Sequence, residues 1–204
     1  LKYGVVLLDP PWTFHTRSKV GQNRSAENHY QCMSLQDIFD MPLLPVCADN
    51  CLLLLWVTRP HLENGLEFIR RIGKKPSGKP EFTYSTMVDW AKIKDGKLQT
   101  GTGYRARDSS EVLLIATRGT VKLQPPAYRQ PSVIIHPRTR HSEKPPQQYL
   151  YARGVSGPCL EVFARVRRSY SDMPPGMNDW TFIGQEITGN DVRIDLERLA
   201  KSSY

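Results

Sequence analysis

The chain has 204 residues, a length that suits one domain with a single sizeable core. Its 39% hydrophobic and 24% charged residues exclude a disordered chain, and its longest apolar run, Cys51 to Val57, is too short to cross a bilayer. A net charge of +8 and a pI near 9.4 favour a polyanionic partner, although charge alone leaves an ordinary basic protein as an equal reading.

The first predicted element is the strand Val5 to Leu8, in "VVLLDPPWTF". It begins almost at Leu1, so further residues upstream in the natural protein are expected, and a secretory signal is not expected. Further strands are predicted at Cys51 to Val57, Ser85 to Trp90, Val112 to Thr117, Ser132 to Ile135, Cys159 to Phe163 and Trp180 to Ile183. Most are near-continuous apolar runs, the pattern of strands covered on both faces. Between them, "HLENGLEFIRRIG" repeats Leu62, Leu66 and Ile69 at helical spacing, with Gly73 as C-cap. "SEKPPQQYLYARGV" reads as a second helix, with Ser142 as N-cap and prolines in its first turn. The intervening stretches "HTRSKVGQNRSAENHY", "GKKPSGKPEF", "KIKDGKLQTGTGYRARDSS" and "RRSYSDMPPGMND" are long loops, which in compact domains are usually functional. The alternation predicts one α/β domain over residues 1–204, with a mostly parallel sheet, helices on both faces and a C-terminal extension at 188–204. Cys32, Cys47, Cys51 and Cys159 have no zinc spacing with the histidines, so reduced thiols in an intracellular protein are expected, with no metal.

A strand ending in an acid, two prolines and a tryptophan has a specific chemical use. The exocyclic amine of adenine is a poor nucleophile because its lone pair is delocalised into the ring. Two acceptors at its hydrogens favour a pyramidal nitrogen and expose that lone pair. Asp9 can supply one acceptor, and the carbonyl of Pro10, fixed in path by Pro10 and Pro11, the other. Trp12 then offers a face on which an extruded base can stack. The competing reading is a plain Asp-Pro turn with Trp12 as a core anchor.

"LLDPPW" resembles the signature of the DPPW-type adenine-N6 methyltransferases, the family of the messenger-RNA adenosine methyltransferase catalytic subunit. The resemblance continues through "NRSAENHYQCMS" (23–34), "LLLLWVT" (52–58), "VDWAKIK" (88–94), "GTGYRARDSSEVLLIATRG" (101–119), "RHSEKP" (140–145), "LEVFAR" (160–165) and "WTFIGQE" (180–186) in family order. It spans residues 3 to about 187 and is closest to the prokaryotic and phage branch that acts on DNA. It implies a Rossmann-like methyltransferase fold with permuted motif order, the catalytic strand preceding the cofactor strand. The implied cofactor is S-adenosylmethionine; no G-x-G-x-x-G is present to suggest a nucleotide cofactor independently.

The resemblance also implies a pocket. Asp9 would lie near the methionine amino group and Lys144 would face its carboxylate. Glu161 and Arg165 would flank the cofactor strand, with Arg165 at the ribose. Ala164 stands where the family often has Gly, and Val166, Arg167 and Arg168 replace a different family triplet, so they are assigned to cofactor or nucleic acid without further division. Gln185 and Glu186 match polar positions at the ribose and adenine. A family acid that holds the cofactor adenine would lie upstream of Leu1.

On the substrate side, His29 and Tyr30 match a loop closing over the target base. Tyr104 with Arg105 and Arg107, and Arg138 with Arg140 and His141, combine aromatic and basic groups suited to stacking and phosphate neutralisation. The leading expectation is adenine-N6 methylation of DNA in a prokaryotic or phage-encoded cytoplasmic protein, acting on a flipped-out or single-stranded base. The alternatives are the same chemistry on RNA, or a non-catalytic nucleic-acid-binding subunit. A protein partner or a homodimer is a further expectation, and no membrane is expected.

Overall fold

The structure, a computed structural model, describes all residues except 14–32, 102, 104, 123–124, 127–128, 140–142, 167, 169–179 and 203–204. Eight strands form one sheet: β1 (Tyr3–Leu8), β2 (Cys47–Val57), β3 (Thr83–Lys94), β4 (Lys97–Leu98), β5 (Ser110–Arg118), β6 (Val133–Pro137), β7 (Cys159–Val162) and β8 (Trp180–Ile183). Their order is β4-β3-β5-β2-β1-β7-β8, with β6 beside β3. All seven strands expected from apolar runs are present, and the two-residue β4 adds a short hairpin to β3.

The sheet is mixed. Pairs β1–β2, β1–β7, β7–β8 and β3–β6 are parallel, while β2–β5, β3–β5 and β3–β4 are antiparallel. β1 lies between two parallel neighbours, and all six of its residues are buried, as its unbroken apolar run requires. Alternation divides its side chains between two cores. Val6 and Leu8 join Leu53, Leu55, Leu160 and Val162 on one face, whereas Val5 and Leu7 join Leu54 and Trp56 on the other.

The first face is covered by α1 (Leu35–Phe39), α2 (Leu62–Arg71) and α4 (Val192–Lys201), which bury Ile38, Phe68, Ile69, Val192 and Leu196. α2 is the helix expected from the Leu62-Leu66-Ile69 spacing. It lies so close to the sheet that a Cβ on Gly65 would come within 2.5 Å of Val57 Cγ1. Gly73 follows its end with φ +81°, the left-handed stop that glycine allows. The segment 188–204, expected as a C-terminal extension, contributes α4 to this core through Val192 and Leu196.

The opposite face carries no α-helix among the described residues. "PQQYLYA" forms a 3₁₀ turn, Pro146–Ala152, where an α-helix was expected. Its tighter winding puts residues three apart on one line, so Tyr149 and Ala152 both enter the core. Ser142, the expected cap, lies outside the described residues. No helix among the described residues is long and apolar enough to cross a membrane.

Candidate active site

In open α/β sheets ligands bind beyond the carboxyl ends of the parallel strands. Asp9 emerges there, directly after β1, with its N–H donating to Val162 O at 3.4 Å. The same sheet end receives Glu161 near the end of β7 and, because β5 is antiparallel, Ser110 and Glu111 at its start.

The two prolines hold the next segment in a fixed path. Trp12 N–H donates to Pro10 O at 2.8 Å, which uses one lone pair of that carbonyl and leaves a second acceptor position. Pro11 O accepts from Met33 N at 3.3 Å. Trp12 does not present the open stacking face expected from sequence. Its side chain is buried at 3% exposure, stacked on His61 with centroids 5.4 Å apart, and its indole N–H donates to Trp56 O at 3.0 Å. The ring therefore anchors the Asp-Pro-Pro segment to the end of β2. Burial pushes the His61 imidazole below its ordinary pKa, which favours the neutral ring in the stack.

Asp9 is part of a chain of alternating charges. Its Oδ2 is 2.7 Å from Lys144 Nζ, which lies 3.2 Å from Glu111 Oε2. Glu111 Oε1 in turn lies 2.6 Å from Lys92 Nζ on β3. Burial raises the Asp9 carboxyl, Lys144 opposes that rise, and Glu111 adds to it. Burial alone would lower Lys144, but Asp9 and Glu111 raise its ammonium above the usual lysine range. Burial would likewise raise Glu111, yet Lys144 and Lys92 prevail and hold it down at about 2. The Lys144 ammonium also sits 5.7 Å from the Trp56 ring centroid, within cation–π range.

Beside this chain opens a cavity of 230 Å³, whose lining includes Asp9, Lys144, Glu161, Phe163, Arg165 and Glu186, together with Val166, Arg168 and Gln148. Phe163 holds φ +67°, a left-handed conformation rare for a bulky residue and common at functional sites. Arg168 donates to Glu143 at 3.0 Å and to Lys144 O at 3.4 Å, clipping the lysine-bearing loop beside the cavity. The donor set suits a zwitterion attached to a hydroxyl-bearing group: a carboxylate for its ammonium, an ammonium for its carboxylate, and two further acids for hydroxyls.

Glu161 accepts a 2.6 Å hydrogen bond from Tyr149 OH. Burial pushes its carboxyl up to about 7, against the opposing pull of Tyr149 and Arg168. The folded chain thus retains a proton here at pH values where the unfolded chain, ordinary at about 4.3, has lost it. That contribution to stability is complete below the unfolded value and is lost as pH rises through about 7. Urea denaturation between about pH 5 and 7 should show wild type losing on the order of 1 kcal/mol per pH unit relative to Glu161→Gln. Parallel stability curves for the two proteins would remove Glu161 from this role.

Of the residues assigned from sequence, Asp9, Lys144, Glu161, Arg165, Val166, Arg168 and Glu186 meet around one cavity. Gln185 does not line it; it is the exposed first residue of the short helix α3 (Gln185–Thr188). Arg105, Arg107 and Arg138 are exposed, on loops that enter β5 and leave β6 at the same sheet end. His29, Tyr30, Tyr104, Arg140, His141 and Arg167 lie outside the described residues. Lys92, Glu111, Tyr149 and Gln148 were not singled out from sequence. The available signal was a charge inside an otherwise apolar strand, as for Lys92 in "VDWAKIK" and Glu111 in "SSEVLLIA".

Comparison with known proteins gives a consistent picture. The sequence model of the MT-A70 family matches residues 3–186. The mouse (Mus musculus) protein named N(6)-adenine-specific methyltransferase METTL4 is 25% identical over 91% of the chain, which spans 37% of that protein. A Medicago truncatula protein named putative N(6)-adenosine-methyltransferase MT-A70-like is 25% identical over 97% of the chain, which spans 28% of it. The type II methyltransferase M.MunI of a Mycoplasma species is 24% identical over 96% of the chain, which here spans 82% of the relative.

Proposed function

The chain belongs to the MT-A70 family, and from that membership we propose that it transfers a methyl group from S-adenosylmethionine to N6 of adenine in DNA. The observation that carries the reading is Asp9 at the end of β1, paired with Lys144 in the lining of the cavity and followed by the Pro10 carbonyl. Asp9 and Lys144 would hold the amino and carboxylate groups of the cofactor's methionine part, and Glu161, Arg165 and Glu186 would face its nucleoside part. Bound there, the cofactor supplies an electrophilic methyl on a sulfonium.

The chain's own residues prepare the acceptor. Asp9 and Pro10 O accept hydrogen bonds from the adenine amine and favour a pyramidal nitrogen with its lone pair exposed. Trp12 keeps those acceptors in place from beneath. The methylated nitrogen is cationic and loses its proton readily, so no strong general base is required. With β7 as the cofactor strand, the motif order would be the permuted one that the family resemblance implies. Arg105, Arg107 and Arg138 would neutralise phosphates around a flipped-out or single-stranded base, in a protein acting in the cytoplasm.

The DNA assignment is supported by the blocks "GTGYRARDSSEVLLIATRG" and "NRSAENHYQCMS", which resemble the prokaryotic and phage branch, and by the extent of the match to M.MunI. RNA is the second reading, favoured by the relatives named adenosine methyltransferases. Transfer of labelled methyl to unmethylated DNA and to RNA of matched sequence decides between them. Label in DNA adenine supports the proposal, label confined to RNA changes the substrate, and absence of cofactor binding in calorimetry overturns the reading.

A further inference from the structure

Lys92, Glu111, Lys144 and Asp9 come from β3, β5, the segment between β6 and the 3₁₀ turn, and the end of β1. Only folding brings them together. Their links of 2.6, 3.2 and 2.7 Å alternate in charge, and the set sums to zero. The side chains of Lys144, Glu111 and Lys92 are only 8%, 15% and 16% exposed, so water does little to screen them. Glu111 uses a different oxygen for each lysine: Oε1 for Lys92 and Oε2 for Lys144. It can therefore hold Lys144 without releasing Lys92.

We propose that Glu111, fixed by Lys92, is a positioning residue that retains Lys144 at the cavity while Asp9 and Lys144 exchange each other for a zwitterionic ligand. This rests on the assignment of the cavity to the cofactor. Asp9 and Lys144 now neutralise one another directly. A ligand that offers an ammonium to Asp9 and a carboxylate to Lys144 must replace that bond with two new ones. Leaving a buried ammonium without a partner is strongly unfavourable. Glu111 removes that cost, because Lys144 keeps one carboxylate throughout the exchange. It also restrains the flexible lysine stem, which would otherwise turn entirely toward Asp9. Among the described residues, the other charges around this pair in the cavity are Arg165, Glu161, Arg168, Glu143 and Glu186.

The test is a double-mutant cycle on the binding of S-adenosylhomocysteine, a zwitterion without the transferable methyl. By calorimetry, Glu111→Gln should weaken binding roughly tenfold in the wild-type background but less than about twofold in a Lys144→Gln background. Equal losses in both backgrounds would show that Glu111 does not act through Lys144. A second readout needs no ligand: the Lys144 ε-carbon resonance of lysine-labelled protein, followed as pH rises. In wild type it should not titrate below about pH 11, whereas in Glu111→Gln its midpoint should fall by at least about one unit. An unchanged midpoint overturns the proposal. Lys92→Gln, acting from the outer end of the chain, is the second variant if Glu111→Gln does not fold; it should shift the Lys144 midpoint the same way by less. Wild type that binds no S-adenosylhomocysteine while the resonance moves as expected would refute the cofactor assignment and, with it, the exchange, while leaving Glu111 as a neighbour that tunes Lys144.

Discussion

Asp9→Asn should lower methyl transfer by about a thousandfold while leaving the ligand-free protein folded, the scale seen when one preorganised hydrogen-bonding group is lost from an active site. The substitution keeps the size of the side chain and one acceptor oxygen. It removes the negative charge that pairs with Lys144 at 2.7 Å, and it can point an amide N–H at the substrate amine, donor against donor. Breaking a buried ion pair by deleting one partner normally costs about 3–5 kcal/mol. Here Lys144 retains Glu111 at 3.2 Å, so the loss of stability should fall well below that range. Activity and stability are thereby separated. Single-turnover methyl transfer with saturating cofactor, recorded beside a thermal melt, makes the comparison. A loss smaller than about tenfold, with the protein folded, would show that Asp9 is not the acceptor. A loss that disappears on raising the cofactor concentration would reassign it to cofactor binding alone.

The strands were legible in the sequence because each is a short apolar run bounded by loop residues, and burial of β1 on both faces follows from its lack of polar alternation. Strand direction was not legible. An apolar run such as Val112 to Thr117 reads the same whether it pairs parallel or antiparallel, and β5 pairs antiparallel on both sides. α1 and α4 carried signals that went unread, the side-chain caps of Ser34 and Asp191, each set before a short amphipathic stretch. In "SEKPPQQYLYARGV" the prolines correctly marked a helix start, but the choice between α and 3₁₀ winding depended on which side chains the sheet had room to bury.

The site divides in the same manner. Asp9, Lys144 and Glu161 sit in compact sequence motifs, and the fold brings all three to one cavity. Glu111 and Lys92 are single charges within apolar strands. Nothing in the linear order shows that Trp90 on β3 stands opposite Glu111 on β5, the register that lets Lys92 reach Glu111. The partners of a buried charge are set by register, and register is a property of the folded sheet.

Trp12 is buried where an open stacking face was expected, and its substitution should have the largest effect on stability. Trp12→Ala is expected to cost about 3–5 kcal/mol, the range for deleting a buried aromatic side chain. The ring is 3% exposed, packs on His61 and belongs to the core that also holds Leu8, Leu55 and Ile38. Trp12→Phe is the informative variant. It retains a ring against His61 but leaves the Trp56 carbonyl without its indole donor, a loss of about 1–3 kcal/mol if no water replaces it. An anchor and a base-stacking plate predict different outcomes. As an anchor, Trp12→Phe lowers the urea midpoint, and the Michaelis constant for nucleic acid stays near wild type once the protein is assayed well below its melting temperature. As a stacking plate, it leaves stability nearly unchanged and raises that constant, since base stacking on an aromatic contributes about 1–3 kcal/mol per base. The hydrogen bond to Trp56 O favours the anchor: Trp56 lies near the end of β2, so the bond ties the Asp9-Pro10-Pro11 turn to the neighbouring strand. With the turn released, Asp9 would still reach Lys144, but the Pro10 carbonyl would lose its fixed direction. The residual effect of Trp12→Phe on catalysis should therefore appear in kcat and not in substrate affinity.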